Sequence, residues 1–161
     1  MPVKNYADRV NRSYSRTFSR RQFLPRILHK YIGKGERVLD FGAGPDAYGT
    51  MALRSQGFSV TAHDIGKNRV AGIHDPGAMK RKYHVIFASN VLNVQPSRLH
   101  VQRIVSTARS HLLAGGRFFC NFPESPRYND YTVATIEKML VAKFSAVRRV
   151  SKHPAAWMCV K

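Results

Sequence analysis

Acidic residues are scarce in this chain. Its 161 residues include nine Asp and Glu against 27 Lys and Arg, which gives a formal net charge of +18. An excess of this size raises a positive potential over much of a protein's surface. Because the natural partners of a basic surface are polyanions, we expect contact with nucleic acid, either directly or within an assembly. The alternative is that the charge serves solubility alone.

Cysteine is also scarce, and long apolar runs are absent. The two cysteines, Cys120 and Cys159, lie in apolar stretches and are predicted to be buried free thiols, which favours a reducing compartment such as the cytoplasm. No apolar run approaches the roughly 18 residues of a membrane-spanning helix, so no membrane contact is expected. The seven histidines lack the spacing of metal ligands on a helix, and no metal site is predicted.

The first 31 residues are rich in Arg and Ser and hold one acid, Asp8. Mitochondrial presequences share that composition, so a mitochondrial location stays open. Within the segment, however, apolar residues recur at helical spacing and run directly into the first strand. We therefore predict a basic helical segment over residues 1–32 that packs on a core domain of residues 33–161. The residues that define its apolar face are Phe18, Phe23, Leu24, Ile27, Leu28 and Tyr31.

Strands and helices alternate through the rest of the chain. Strands are predicted over residues 37–41, 58–63, 83–88, 117–122, 145–150 and 156–160, with a weak one at 70–73. Helices are predicted over residues 48–56, 96–113 and 131–143. This order predicts a doubly wound α/β fold with a mostly parallel sheet and helices on both faces. The last two strands have no helix between them, which predicts an antiparallel edge.

A tight glycine loop follows the first predicted strand. Gly42-Ala43-Gly44 lets the backbone turn sharply and approach a ligand, and the next helix offers free N–H groups. Asp64 ends the second strand, 20 residues after Gly44. A carboxylate there can accept hydrogen bonds from ribose hydroxyls, although a capping role is the alternative. The spacing predicts a site for a nucleoside cofactor.

NAD is one candidate, because residues 42–47 also fit the G-x-G-x-x-A pattern. Three features argue against it. Asp40 would repel a pyrophosphate but attract a cationic sulfonium. Pro45 removes an N–H that would bind phosphate. The chain also leaves little length for the substrate domain of a dehydrogenase.

The segment Val38–Gly44 resembles the first motif of class I S-adenosylmethionine (AdoMet)-dependent methyltransferases, and the similarity continues in order across residues 37–122. The resemblance implies AdoMet as the cofactor and residues 33–161 as a Rossmann-like AdoMet-binding domain. It also implies a seven-stranded sheet with an antiparallel C-terminal edge strand. The cofactor-binding residues that it implies are Asp40, Gly42, Ala43, Gly44, Asp64, Ile65, Asp75 and Asn90, with Asp75 near the adenine ring.

Asn90 is the candidate catalytic residue, because residues 88–93 match the motif where substrate and the methionine end of the cofactor meet. The segment lacks the Asn/Asp-Pro-Pro-aromatic run of DNA amino-methyltransferases, and neither cysteine lies in a Pro-Cys loop. A sulfonium is already activated, so positioning is the main task of the protein. The alternative is that Asn90 and Asn93 satisfy loop backbone groups.

Four residues are predicted to contact the substrate. Arg16 and Arg20 of the basic helix would hold phosphates, with Tyr14, Phe18 and Phe23 as a lid. Arg127 and Tyr128 would line the substrate mouth, or else lie in a rigid surface loop. We predict a methyltransferase acting on nucleic acid or on a nucleic-acid-associated substrate, with a possible protein partner for target recognition. The alternatives are a small-molecule methyltransferase and a non-catalytic subunit of a nucleoprotein assembly.

Overall fold

The computed structural model describes the backbone of residues 3–161 and the side chains from Tyr6 onward. Three short helices open it: α1 (Val3–Asn11), α2 (Arg16–Arg20) and α3 (Phe23–Leu28). Pro25 lies in the first turn of α3, where a missing N–H breaks no helical hydrogen bond. The first two residues of the predicted segment 1–32 lie outside the described residues.

Strands and helices then alternate in the predicted order. The strands are β1 (Arg37–Phe41), β2 (Ser59–His63), β3 (Tyr83–Ala88), β4 (Leu112–Phe122), β5 (Ala146–Ser151) and β6 (Ala155–Val160), and the helices are α4 (Tyr48–Arg54), α5 (Arg98–His111) and α6 (Val133–Lys143). The strands of the described chain form one mixed sheet in the order β2-β1-β3-β4-β6-β5. β1 to β4 run parallel, and β6 runs antiparallel to both of its neighbours. The fold is therefore α/β and Rossmann-like.

The expectation of seven strands was wrong, because the described chain forms six. The weak strand predicted at residues 70–73 is a turn. Gly72 has a φ angle of +81°, which extended backbone does not allow. In addition, the Val70 N–H donates to His74 Nδ1 at 2.9 Å instead of joining a strand ladder.

The last two strands form an antiparallel pair at one edge of the sheet, as predicted, but the C-terminal strand was expected outermost and instead β6 lies inside while β5 forms the edge. Burial explains the order. Most side chains of β6 are buried, including Trp157 and Cys159, and a strand covered on both faces belongs inside a sheet. β5 carries Arg148 and Arg149 exposed, and charged side chains protect an edge from pairing with other chains.

Helices cover both faces of the sheet, as predicted. Alternate residues of a strand point to opposite faces. Accordingly, Leu39 and Ile86 belong to a core cluster that contains side chains of α5 and α6, and Val38 and Val85 belong to a second cluster that contains side chains of α3 and α4. Among the described helices, none has the length and apolar content needed to cross a membrane.

Candidate functional site

A cavity of about 520 Å³ lies at the carboxyl ends of the parallel strands. The loops after β1, β2, β3 and β4 supply one side, and α1 and α2 cover the other. Ligands of open α/β sheets bind at this end, and the volume falls within the roughly 300–1,000 Å³ of small-molecule sites. Of the predicted site residues, seven line this cavity: Gly42, Gly44, Asp64, Ile65, Asn90, Arg127 and Tyr128.

The glycine loop has a conformation that side chains would disturb. Gly42 and Gly44 have φ angles of +89° and +73°. A Cβ atom on Gly42 would lie 2.5 Å from Val91 Cγ2, and one on Gly44 would lie 2.9 Å from Tyr14 Cε2. Glycine is therefore required at both positions by conformation and by space. The loop is a cradle in which the backbone itself faces the cavity.

Asp64 fastens this loop to the end of β2. The side chain is 7% exposed; its Oδ2 accepts from the Gly44 N–H at 2.6 Å, and its Oδ1 accepts from the Ile65 N–H at 2.7 Å. Burial raises the pKa of Asp64, and the two N–H bonds oppose that rise. An ionised carboxylate has about four acceptor positions, so about two remain for a ligand.

Asp40 was predicted to bind the cofactor, but it does not reach the cavity. It is buried beneath α4, outside the lining of the cavity, and accepts a hydrogen bond from Thr50 Oγ1 at 2.8 Å. Burial raises the pKa of Asp40 to about 7. Because this pKa is raised, Asp40 repels a pyrophosphate less than a carboxylate of ordinary pKa would. Ala43 is also outside the lining, in a cluster with Ala47 and Ala62 behind the loop.

Asp75 lies outside the cavity lining, and its neighbour His74 contacts the loop instead. Asp75 accepts from the Gly77 N–H at 2.7 Å and pairs with Arg81, and both contacts lower its pKa. His74 is buried, with Nε2 3.0 Å from the Gly44 carbonyl oxygen. Since His74 Nδ1 accepts a backbone N–H, the neutral tautomer with hydrogen on Nε2 satisfies both contacts. His74 therefore supports the glycine loop from behind.

Asn90 has a left-handed backbone, with φ at +57°, fixed by a residue that sequence reasoning missed. Asn121 of β4 accepts from the Asn90 N–H at 2.8 Å and donates to Asn90 Oδ1 at 2.7 Å. Left-handed non-glycine residues cluster at functional sites, where the surroundings hold them. The sequence feature that could have indicated Asn121 is its position as a polar residue among the apolar residues 118–122 near the end of β4.

Buried polar atoms without partners mark the cavity as a ligand site. Among the described residues, four buried side-chain atoms make no hydrogen bond. Three of them, Asn11 Oδ1, Ser89 Oγ and Asn93 Oδ1, belong to residues that line the cavity, and the fourth is Tyr131 Oη outside it. An unpaired buried polar group costs about 1–3 kcal/mol. A bound ligand with complementary hydrogen-bonding groups would remove that cost.

One wall of the cavity is aromatic and uncharged. Phe41 and His63 stack with their ring centroids 5.7 Å apart, and both line the cavity. Burial lowers the pKa of His63 to about 4, and Arg69 adds to that effect. His63 is therefore neutral at physiological pH and presents a flat apolar surface.

The N-terminal helices are fastened over the cavity by side-chain contacts. Tyr6 of α1 donates to Gln95 Oε1 at 2.6 Å and stacks on His100. Tyr14, between α1 and α2, donates to Asp46 Oδ2 at 2.5 Å. Burial and Asp46 raise the pKa of Tyr14 to about 12, so this hydroxyl remains a donor at physiological pH. Tyr14 and Phe18 line the cavity as the lid hypothesis expected, whereas Phe23 packs in the core.

The four predicted substrate residues divide into two pairs. Arg127 and Tyr128 line the cavity. Arg16 and Arg20 lie outside its lining: Arg16 pairs with Asp46 at 3.3 Å, and the Arg20 guanidinium lies 5.1 Å from the centroid of the Tyr48 ring. Their predicted phosphate contacts stay predictions. In the part of the chain that the structure describes, no cluster of three or more His, Cys, Asp or Glu is suited to a metal ion.

Comparison with known proteins agrees with this geometry. A family model described as a methyltransferase domain matches residues 8–152. No curated protein matches the chain.

Several solved structures share the fold. TehB from Haemophilus influenzae matches with a TM-score of 0.59 and 16% identity over 85% of this chain and 60% of its own. Magnesium protoporphyrin IX methyltransferase from Synechocystis, with bound SAM, matches with a TM-score of 0.61 and 16% identity over 100% of this chain and 85% of its own. A 16S rRNA methyltransferase from T. thermophilus, in complex with AdoMet and guanosine, matches with a TM-score of 0.59 and 19% identity over 86% of this chain and 42% of its own.

The chain spans less than two thirds of TehB and of the rRNA enzyme, and identities this low establish the fold alone. The family model, by contrast, covers most of the chain. The chain belongs to the methyltransferase-domain family, and it shares the fold of a methyltransferase whose structure holds SAM.

Proposed function

We propose that AdoMet occupies the cavity at the glycine loop and that its methyl group passes to nucleic acid or to a nucleic-acid-associated substrate. The observation that carries the cofactor placement is the combination of a glycine cradle, a buried carboxylate with free acceptor positions and unpaired polar atoms in one cavity. A cationic nucleoside with hydroxyl and amino groups satisfies such a set.

The lining residues suit the separate parts of this cofactor. Asp64 has acceptor positions for the ribose hydroxyls. Asn11 donates through Nδ2 to the Ile65 carbonyl at 3.1 Å, which leaves its Oδ1 as an acceptor beside the residue that follows Asp64. The neutral Phe41–His63 wall offers apolar contact. We assign these groups to cofactor binding.

AdoMet supplies a methyl group that its sulfonium already activates, so the protein contributes position rather than strong acid–base chemistry. The Asn121 contact fixes Asn90 at the cavity wall. Ser89 and Asn93, on either side, have unpaired oxygens that can orient an N–H or O–H group of the acceptor. We assign residues 89–93 to placing the acceptor atom in line with the methyl group.

The outer lining of the cavity supports the proposed acceptor class. Phe18 is 65% exposed and Tyr128 is 49% exposed, although both line the cavity, and Arg127 lies beside Tyr128. Exposed aromatic rings with a neighbouring arginine suit stacking on a nucleobase. The net charge of +18 favours the phosphates that accompany such a base. A small-molecule acceptor is the second candidate, since α1 and α2 cover much of the cavity.

The test is transfer of labelled methyl groups from AdoMet to separate pools of RNA, DNA, protein and small metabolites. We expect label in a polynucleotide pool and little label with Asp64→Ala at limiting AdoMet. Label confined to the metabolite pool would reject the nucleic-acid acceptor. Label in no pool, together with measurable AdoMet binding, would favour the non-catalytic subunit.

A further inference from the structure

We propose that a second concave surface, the groove between α5 and α6, binds the phosphodiester backbone of the nucleic-acid acceptor. This basic groove encloses about 700 Å³, and its lining includes Arg98, Gln102, Thr135, Lys138 and Lys143. The proposal rests on the nucleic-acid acceptor proposed above. It adds a binding site that lies outside the methyl-transfer cavity.

The charge of the basic groove has one sign. Three cations line it, Arg98 from α5 and Lys138 and Lys143 from α6, and no described acidic side chain does. α5 contains no acid, and the one acid of α6, Glu137, is engaged by Arg149 at 2.8 Å and by Trp157 Nε1 at 3.1 Å.

Two of the three cations, Arg98 and Lys143, are supported without being neutralised. The Arg98 guanidinium lies 5.3 Å from the centroid of the Tyr131 ring, and Lys143 Nζ donates to Ser106 Oγ at 3.0 Å. Among the described side chains, none of the three has a carboxylate within 4.0 Å. Uncompensated cations held in a concavity fit an anion of extended shape.

Residues 127–131 link the lining of the methyl-transfer cavity to a side chain that contacts Arg98. Arg127 lines the cavity, and Tyr131 supports Arg98 at the near end of the groove. Asn129, between them, donates from Nδ2 towards the carbonyl oxygens of Leu92 and Asn93 at 3.2 and 3.3 Å, which fixes this connection. Four residues span at most about 14 Å. A stacked strand would cover that length with at most about four phosphates.

The chemistry of the lining favours backbone contact over base reading. The groove offers guanidinium, ammonium, amide and hydroxyl donors from Arg98, Lys138, Gln102 and Thr135, and all of these bind phosphate oxygens. No aromatic ring lines it among the described residues, so bases have no stacking platform there. We therefore expect binding at the groove to be independent of sequence and strongly dependent on salt.

The experiment compares two triple variants by fluorescence anisotropy with a labelled single-stranded RNA of about 20 nucleotides and the DNA of the same sequence. One variant carries Arg98→Gln, Lys138→Gln and Lys143→Gln. The matched control carries Arg26→Gln, Lys30→Gln and Lys34→Gln, which remove the same charge from exposed positions on and after α3. Thermal unfolding and AdoMet binding are measured for both, and we expect wild-type values because neither set touches the cavity.

The groove variant should bind the polynucleotide about tenfold more weakly at about 0.1 M salt. The slope of its log affinity against log salt concentration should become about two units shallower, since each lost phosphate contact reduces the slope by about 0.7–0.9. The control should change the slope by less than about one.

Equal losses of affinity in both variants would overturn the groove as a binding site while leaving the proposed acceptor intact. Polyglutamate competing as well as RNA would overturn it in favour of an acidic protein. A wild-type chain with no salt-dependent polynucleotide binding would reject the acceptor and the groove together.

Discussion

The cavity and the basic groove recognise their ligands by different physical means. In the cavity, the main determinants are fixed: Gly42 and Gly44 have positive φ angles, Asp64 is held by two N–H groups, and Asn90 is held by Asn121. In the groove, the determinants are exposed cations on two helices, with few contacts to hold them. The cavity is built for one small molecule, and the groove is built for a repeating charge.

This difference predicts separable responses. Affinity that comes from preformed hydrogen bonds depends on single atoms and little on ionic strength, whereas affinity that comes from counterion release depends on the number of cations and steeply on salt. AdoMet binding should therefore be insensitive to salt and to the groove variant. Polynucleotide binding should respond to both.

The largest effect in the cavity is expected from Asp64→Ala. The substitution removes acceptors for the ribose and also frees the Gly44 and Ile65 N–H groups that shape the loop. Hydrogen bonds to a charged group are worth about 1.5–3 kcal/mol, so AdoMet affinity should fall by about 10- to 150-fold. Isothermal titration calorimetry at two salt concentrations measures the loss, which should be the same at both.

Asp75→Ala is the matched comparison, because the sequence also assigned that acid to the cofactor while the structure pairs it with Arg81 outside the lining. Its AdoMet affinity should stay within about twofold of wild type, since no cavity contact is lost. Unchanged affinity in Asp64→Ala would remove Asp64 from the site. A loss in Asp75→Ala as large as that in Asp64→Ala would show that the cofactor reaches beyond the cavity described above.

A smaller effect is expected in the pH dependence of stability, because two buried groups on the neighbouring strands β1 and β2 oppose each other. The pKa of Asp40 is raised from 3.8 to about 7, so the folded state binds more protons than the unfolded state in that interval and stability falls as pH rises. The pKa of His63 is lowered from 6.5 to about 4, so the unfolded state binds more protons there and stability rises with pH.

In Asp40→Asn the contribution of Asp40 is removed, so stability should rise with pH and the variant should be more stable than wild type at pH 8. In His63→Gln the contribution of His63 is removed, so stability should fall as pH rises. Urea unfolding between pH 4 and pH 8 measures both curves. Parallel curves for wild type and Asp40→Asn across pH 7 would show that Asp40 titrates at its ordinary pKa.

Sequence patterns located the cavity but not every side chain in it. The glycine loop and Asp64 follow from local rules, since a strand, a tight turn and a strand-end acid determine their own placement. Asp40 and Asp75 follow the same local signal, but their partners, Thr50 and Arg81, keep them outside the lining. His74 and Asn121 were missed because each acts on a residue about 30 positions away, which periodicity does not reveal.

The details of the sheet also depend on features that local sequence patterns do not reveal. Alternation identified the α/β class and most of the strands. It did not distinguish a seventh strand from a turn at residues 70–73, where the positive φ angle of Gly72 decides the outcome. It also did not order β5 and β6, because which of two neighbouring strands lies inside depends on burial across the whole sheet.

The most direct test of the account is a crystal structure of the chain with AdoMet. We expect the adenosine between the glycine loop and α1, with both ribose hydroxyls within hydrogen-bonding distance of Asp64 and a donor of the nucleoside on Asn11 Oδ1. Cofactor bound elsewhere, or Asp64 making no contact with it, would contradict the central claim that this cavity is the methyl-donor site.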